Sequence, residues 1–280
     1  MIKGLSARKK KSAIISFITI VVAVLFLAPI YVVVVNAFKT PLETAENILT
    51  LPTGLHLENF SRAIEVTNFW VSLKNSIIVT VCSVVLIIFC ASTAGYVICR
   101  NNRRRFYKGM DILLMSGMMI SFQFIMIPAY RVLKNLGLLN TYAGAVIFMV
   151  GTSVSYATFL YAGFVKTLPI ALEEAAMIDG CGIIKTFVLI VFPLMKPITA
   201  TVAALEMLWM WNEFNISLIV LQKKTMRTIP MQQFYFFGQH ISNMNQACAA
   251  AAISLVPVLV FFFLTQKNIA GGMTAGSVKG

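Results

Sequence analysis

Apolar residues fall along this chain in long unbroken runs separated by short polar stretches. A bilayer core needs about 20 mostly apolar helical residues per crossing. Runs of that length occur at 13–35, 76–98, 110–128, 141–164, 198–220 and 248–265. The last is short and contains Pro257, which a membrane helix tolerates when neighbours satisfy the freed carbonyl. The first follows a basic N-terminus, but it is too long for a secretory h-region, and no small-residue cleavage site closes it. The pattern predicts an all-α polytopic membrane protein with six transmembrane helices. Two polar connections stand out. Residues 40–74 hold the turn formers Pro41, Pro52 and Gly54 and the acids Glu43, Glu46, Glu58 and Glu65. They predict short interfacial helices anchored by Phe69 and Trp70. Residues 165–197 form the other connection. With no linker or internal repeat, the expected division is an N-terminal stretch 1–12, a first span with its polar segment at 13–74, a core at 75–267 and a tail at 268–280.

Composition agrees: 59% of the 280 residues are hydrophobic and 12% charged, against about a quarter charged in soluble domains. The net charge of +13 raises the possibility of nucleic-acid binding, but its distribution excludes it. Fifteen of the 23 Lys and Arg residues fall on one side of the expected spans, including the short NNRRR cluster after the second. No aromatic residues interleave with them, as a nucleic-acid surface would require. The positive-inside rule then places both termini and the 165–197 loop in the cytoplasm. Cys82, Cys90, Cys99, Cys181 and Cys248 lie in or beside apolar runs without paired spacing, so neither a disulfide framework nor a metal site follows.

Three of the ten acidic residues sit within EEAAMIDG, at Glu173, Glu174 and Asp179. Thr167 and Pro169 read as a helix start, with the two glutamates in the turn where the helix dipole favours negative charge. Leu172, Ala175, Ala176 and Asp179 share one face, and Gly180 and Gly182 are natural stops. A second amphipathic stretch at 183–194 leads to Pro193 and Pro197. Two readings fit: a short helix on the cytoplasmic face offering alanines and carboxylates to a basic partner, or a solvated loop with helix-start acids.

This stretch resembles the EAA loop of binding-protein-dependent ABC importer permeases, whose pattern is E-A-A-x-x-x-G followed by I-x-L-P. Glu174, Ala175, Ala176, Gly180, Ile190 and Pro193 match it, and Phe192 stands where leucine is usual. The fuller EEAAMIDG, the WNEF at Trp211 to Phe214 and the tail GGMTAGSVKG at 271–280 are similar to the carbohydrate-uptake, maltose-permease-like branch. The resemblance covers the chain from about Asn75 onward. It implies a bacterial inner-membrane subunit whose loop is a coupling helix seated in a cytoplasmic ATPase, with Glu173, Glu174, Ala175, Ala176, Asp179, Gly180 and Pro193 as the contact set. Implied partners are a second homologous permease forming a heterodimer with this chain, two ATPase subunits and an extracytoplasmic sugar-binding protein. ATP and Mg would be held by the ATPase, and no cofactor by this chain.

The phosphate-cradling pattern G-x-x-x-x-G-K-[ST] is absent; Gly180 to Thr186 imitate it, but Ile184 replaces the last glycine. His56 and His240 lack a metal or catalytic context, so the sequence points away from an enzyme. Carboxylates inside a span are costly and suggest function. Glu206 and Glu213 are seven apart, on one helix face with Trp209 between them. An indole can cover the C–H face of a sugar while carboxylates accept from its hydroxyls. With Asn212 and Gln123 they form a candidate substrate pathway; the alternative is that they pair with each other or with a partner's span. Two further functions stay open: a proton-coupled secondary transporter using Glu206 or Glu213, and an ABC importer for a non-sugar solute.

Overall fold

The computed structural model describes the backbone of residues 2–239 and 243–275, and the side chains of 14–234 and 243–263. His240 and residues 276–280 of the tail lie outside the described residues, and 271–275 are described as backbone only. Among the described residues every regular element is helical: α1 Ile2–Ala37, α2 Pro41–Glu46, α3 Glu58–Val66, α4 Phe69–Arg100, α5 Arg105–Gly117, α6 Phe122–Asn135, α7 Tyr142–Val165 and α8 Ala171–Ile178. There follow α9 Ile183–Thr186, a wide π turn at Phe187–Val191, α10 Phe192–Leu194, α11 Lys196–Asn212, α12 Asn215–Val220, a 3-10 turn at Lys224–Met226, α13 Ile229–Gln239 and α14 Met244–Ala275.

Among the described residues four helical stretches are long and apolar enough to cross a membrane: Ile14–Ala37, Phe69–Arg100, Tyr142–Val165 and Met244–Phe263. The spans expected at 110–128 and 198–220 are not straight rods. The first is α5 and α6, bent by 105° through residues 118–121. Ser121 is extended there (ψ 141°) and opens α6. The second is α11, which ends at Glu213, followed by the short α12. The stretch Ile183–Leu194 meets α11 at 73°. Counting each bent pair as one crossing brings the total to six. Prolines explain part of the breakage: Pro193 opens α10 and Pro197 sits in the first turn of α11, where a missing N–H costs nothing. The helix expected from Pro169 begins two residues later, at Ala171.

The chain divides into two compact units, Met1–Phe69 with Gln233–Val256, and Trp70–Gln232 with Pro257–Gly280. In the first, a small core of Ala37, Ala63, Cys248, Ala249 and Ala250 lets helices approach closely. Phe38 and Phe60 pack with ring centroids 4.8 Å apart. Asn245 donates to Thr44 Oγ1 at 2.6 Å and to the Asn36 carbonyl at 2.9 Å. Lys39 is fully buried, its ammonium donating to the Asn47 carbonyl and Thr50 Oγ1. α2 opens on a capping box between Thr40 and Glu43. Of the expected anchors, Phe69 is buried and Trp70 exposed.

The second unit surrounds α4, α7 and α11, whose core includes Ile87, Met149, Tyr161, Val202 and Met210. Thr141 caps α7 by accepting from Gly144 N at 3.0 Å. Gly144 must be glycine for space: a Cβ there would lie 2.2 Å from the Leu138 carbonyl oxygen. At the other end of α7, a Cβ on Gly95 would stand 2.8 Å from that of Tyr161, so α4 and α7 touch nearly backbone to backbone. Asn75 fastens the start of α4 by donating to the Thr225 and Arg227 carbonyls at 3.0 Å, while Tyr142 O–H donates to Asn75 Oδ1 at 2.7 Å.

Candidate functional site

Within the second unit α7 and α11 pack together beside an open cavity of about 670 Å³, bordered by the α5–α6 bend. Its wall brings together Glu206, Trp209 and Glu213. Glu206 is only 3% exposed. Ser153 hydrogen-bonds its carboxyl group, while its Oε2 has no partner among the described residues. A buried polar atom left open in this way is costly and is available to a ligand's donor. Trp209 offers 66% of its surface. Glu213 lies past the last turn of α11 in extended backbone (ψ 110°). The break, not a continuous helix face, brings it to the cavity, and its Oε1 accepts from Ile216 N at 3.0 Å to start α12.

Gln123 and Asn212 do not join the wall. Gln123 is exposed and paired with Ser121; Asn212 is exposed and donates back to the Leu208 carbonyl at 2.8 Å. They sit beside the α5–α6 bend and at the last turn of α11, outside the lining of this cavity. The wall also uses Thr152, Ser153, Ser155 and Tyr156 of α7, which sequence reasoning missed. Their signal was available, as GTSVSY is a polar run inside an otherwise apolar span.

A second surface lies at the far end of α4. Helix α8 exposes Glu174, Ala175 and Asp179, as does Gly180 beyond it, while Ala176 and Glu173 turn inward; Pro193 is exposed on α10. Glu173, which the resemblance puts in the contact set with Glu174, is the inward member of the pair. It is 6% exposed; its Oε1 accepts from Arg100 Nε at 2.8 Å and lies 2.7 Å from Nη2 in an ion pair, and its Oε2 accepts from Tyr96 O–H at 2.9 Å. Gly180, with φ +81°, takes the left-handed conformation that ends the helix. Beside the acids, Ile178, Ile183 and Ile184 are 86%, 67% and 79% exposed.

Apolar crossing helices, two of them broken around a cavity, define an all-α polytopic membrane protein. Residues 83–274 match the family described as binding-protein-dependent transport system inner membrane component, and the chain belongs to that family. It is 36% identical over 269 residues to the "Probable starch degradation products transport system permease protein AmyC" of Thermoanaerobacterium thermosulfurigenes, covering 95% of this chain and 96% of that one. It is 33% identical over 276 residues to the melibiose/raffinose/stachyose import permease protein MelC of Bacillus subtilis, covering 98% and 99%. Its fold matches a chain of a bacterial ABC transporter involved in the import of the acidic polysaccharide alginate, with a TM-score of 0.77 at 23% identity, over 91% of this chain and 95% of the other. As an ABC permease the chain is a non-catalytic subunit, and the ATPase is a separate polypeptide.

Proposed function

We propose that this chain is the membrane-spanning permease subunit of an ATP-driven importer that moves a sugar, most simply an oligosaccharide, into the cytoplasm by alternating access. The observation carrying the substrate class is the cavity wall: an indole stands beside two carboxylates, one with an open acceptor atom. That combination suits a ligand with apolar C–H faces and many hydroxyl donors. The names of the near-full-length relatives agree with this class.

In this reading α8 is the coupling helix. Glu174 and Asp179 meet basic groups of a cytoplasmic ATPase, and the exposed isoleucines beside them are covered by it. ATP and its magnesium are held there. A second, homologous permease completes the pathway, and a soluble sugar-binding protein delivers substrate from outside. Both termini and α8 face the cytoplasm of a bacterial cell, as the placement of basic residues favours.

Affinity purification of this chain should bring down a second permease and an ATPase. In proteoliposomes with the binding protein, uptake of raffinose, stachyose or a maltooligosaccharide should exceed that of phosphate or amino acids. Trp209→Ala and Glu213→Gln should each lower that uptake about tenfold, or 1.4 kcal/mol, with assembly intact; the glutamine keeps an acceptor for Ile216 N. Uptake equal to wild type in both variants would remove the cavity from the pathway. Preferential uptake of a non-sugar would move the protein to another substrate class.

A further inference from the structure

We propose that Arg100 and Tyr96, acting through Glu173, are positioning residues that carry a displacement of α8 into the membrane helices. This rests on the reading of α8 as the element an ATPase moves. A displaced helix does useful work only if its motion reaches the cavity walls instead of being absorbed by its flanking loops. Glu173 is where α8 is fastened. Its two oxygens accept two hydrogen bonds, one from Arg100 Nε and one from the Tyr96 hydroxyl, and Arg100 Nη2 adds an ion-pair contact. Tyr96 and Arg100 lie one helical turn apart on a single face of α4. Arg100 Nη2 also donates to the Leu168 carbonyl at 3.0 Å, so the same guanidinium grips the strand of chain entering α8.

The far side of the loop is held as well. The Tyr96 ring packs on Phe187 with centroids 5.2 Å apart, and Phe187 on Phe192 at 6.0 Å. From this clamp the path continues through tight contacts. Gly95 brings α4 against Tyr161 and Ala162 of α7, and Tyr161 O–H donates to Thr199 Oγ1 of α11 at 3.1 Å. α11 carries Glu206 and Trp209. Such a chain of packed helices and a buried ion pair is a physical route for coupling. Arginine suits the first link because its planar fork satisfies a carboxylate and a carbonyl together.

The experiment uses the assembled complex in proteoliposomes and needs no transported solute. A cysteine at Trp209, in a background without the five native cysteines, reports the cavity through its labelling rate by a membrane-impermeant maleimide, with and without ATP. In the parent complex ATP should change that rate. Arg100→Gln and Glu173→Gln should keep the ATPase bound and hydrolysing while the ATP-dependent change falls about tenfold, within the usual span of coupling factors. The exchanged pair, Arg100→Glu with Glu173→Arg, should recover part of it. Tyr96→Phe keeps the ring contact and should lose less, which serves if the charge variants fail to assemble. A merely structural role would lower the yield of complex and leave the response per complex untouched. An unchanged response in Arg100→Gln, Glu173→Gln and Tyr96→Phe overturns the proposal. Failure of the underlying reading looks different: a cysteine at Asp179 in the otherwise native chain would not cross-link to the ATPase.

Discussion

Glu173 and Glu174 are adjacent, identical in chemistry, and opposite in use. A helix turns by about 100° per residue, so one carboxylate points into Arg100 and Tyr96 while the other stays in the open. The buried pair adds little net stability compared with an apolar substitute, yet removing one member costs about 3–5 kcal/mol because the other charge is stranded. The acidic character of this stretch was legible in the sequence, and so was its exposed half. The inward half was not, since its partners lie 73 and 77 positions away and Arg100 reads on its own as one more inside charge. At the same scale, Gly144→Ala should be damaging although alanine is the better helix former. Its Cβ would meet a backbone carbonyl that cannot rotate aside, an overpacking cost of about 1–3 kcal/mol. Thermal denaturation followed by size-exclusion chromatography should show a lowered midpoint; an unchanged one would mean that the turn at Leu138 yields.

Among the elements, the long apolar helices were readable because uninterrupted apolar composition is itself the signal. The breaks were not. Glu213 ends α11 with its backbone extended and starts α12 with its side chain, a double role that hydropathy cannot report. The cavity exists because of this break and the α5–α6 bend, so the residues that form its wall could be chosen only in part from helical spacing. The short α2 invites a pH experiment. Hydrogen bonds to Glu43, from the Thr53 hydroxyl foremost and then from the Thr40 and Thr53 amides, hold its carboxyl down from 4.5 to about 2. A lowered value means that the ionised, capped form stabilises the fold: the contribution is whole above pH 4.5 and is lost as pH falls toward about 2. Hydrogen exchange at the Thr40 and Thr53 amides should accelerate across that window beyond the intrinsic trend. In Glu43→Gln the extra acceleration should vanish, and its persistence would assign the effect to another group.

Across the whole molecule, basic-residue placement is the one topological signal in the sequence, and it carries a direct check. Cysteines at Asp179 and at Lys223, both in exposed polar segments of the second unit, should label from opposite sides of intact cells. Lys223 should react with an impermeant reagent and Asp179 only after permeabilisation; the reverse pattern would invert the proposed orientation. Within that unit α4 is fastened at both ends. Asn75 and Ser76 tie its start to the Thr225–Ile229 stretch, and Arg100 ties its end to α8. The ties at Asn75 and Arg100 are 25 residues apart, roughly 37 Å at about 1.5 Å per residue, more than the about 30 Å of a hydrocarbon layer.

The π turn at Phe187–Val191 gives that arrangement a phase. A turn of this kind holds one residue more than an ordinary helical turn would. The bulge absorbs that residue, so excising one there would let the ladder close regularly with the flanking turns near their present phase, whereas adding one residue in regular helical form would swing the preceding chain by roughly 100°. Glu173 would then leave its socket and Glu174 would lose its outward aim. The bulge thus lets chain length and the direction of the acids be set separately at this point.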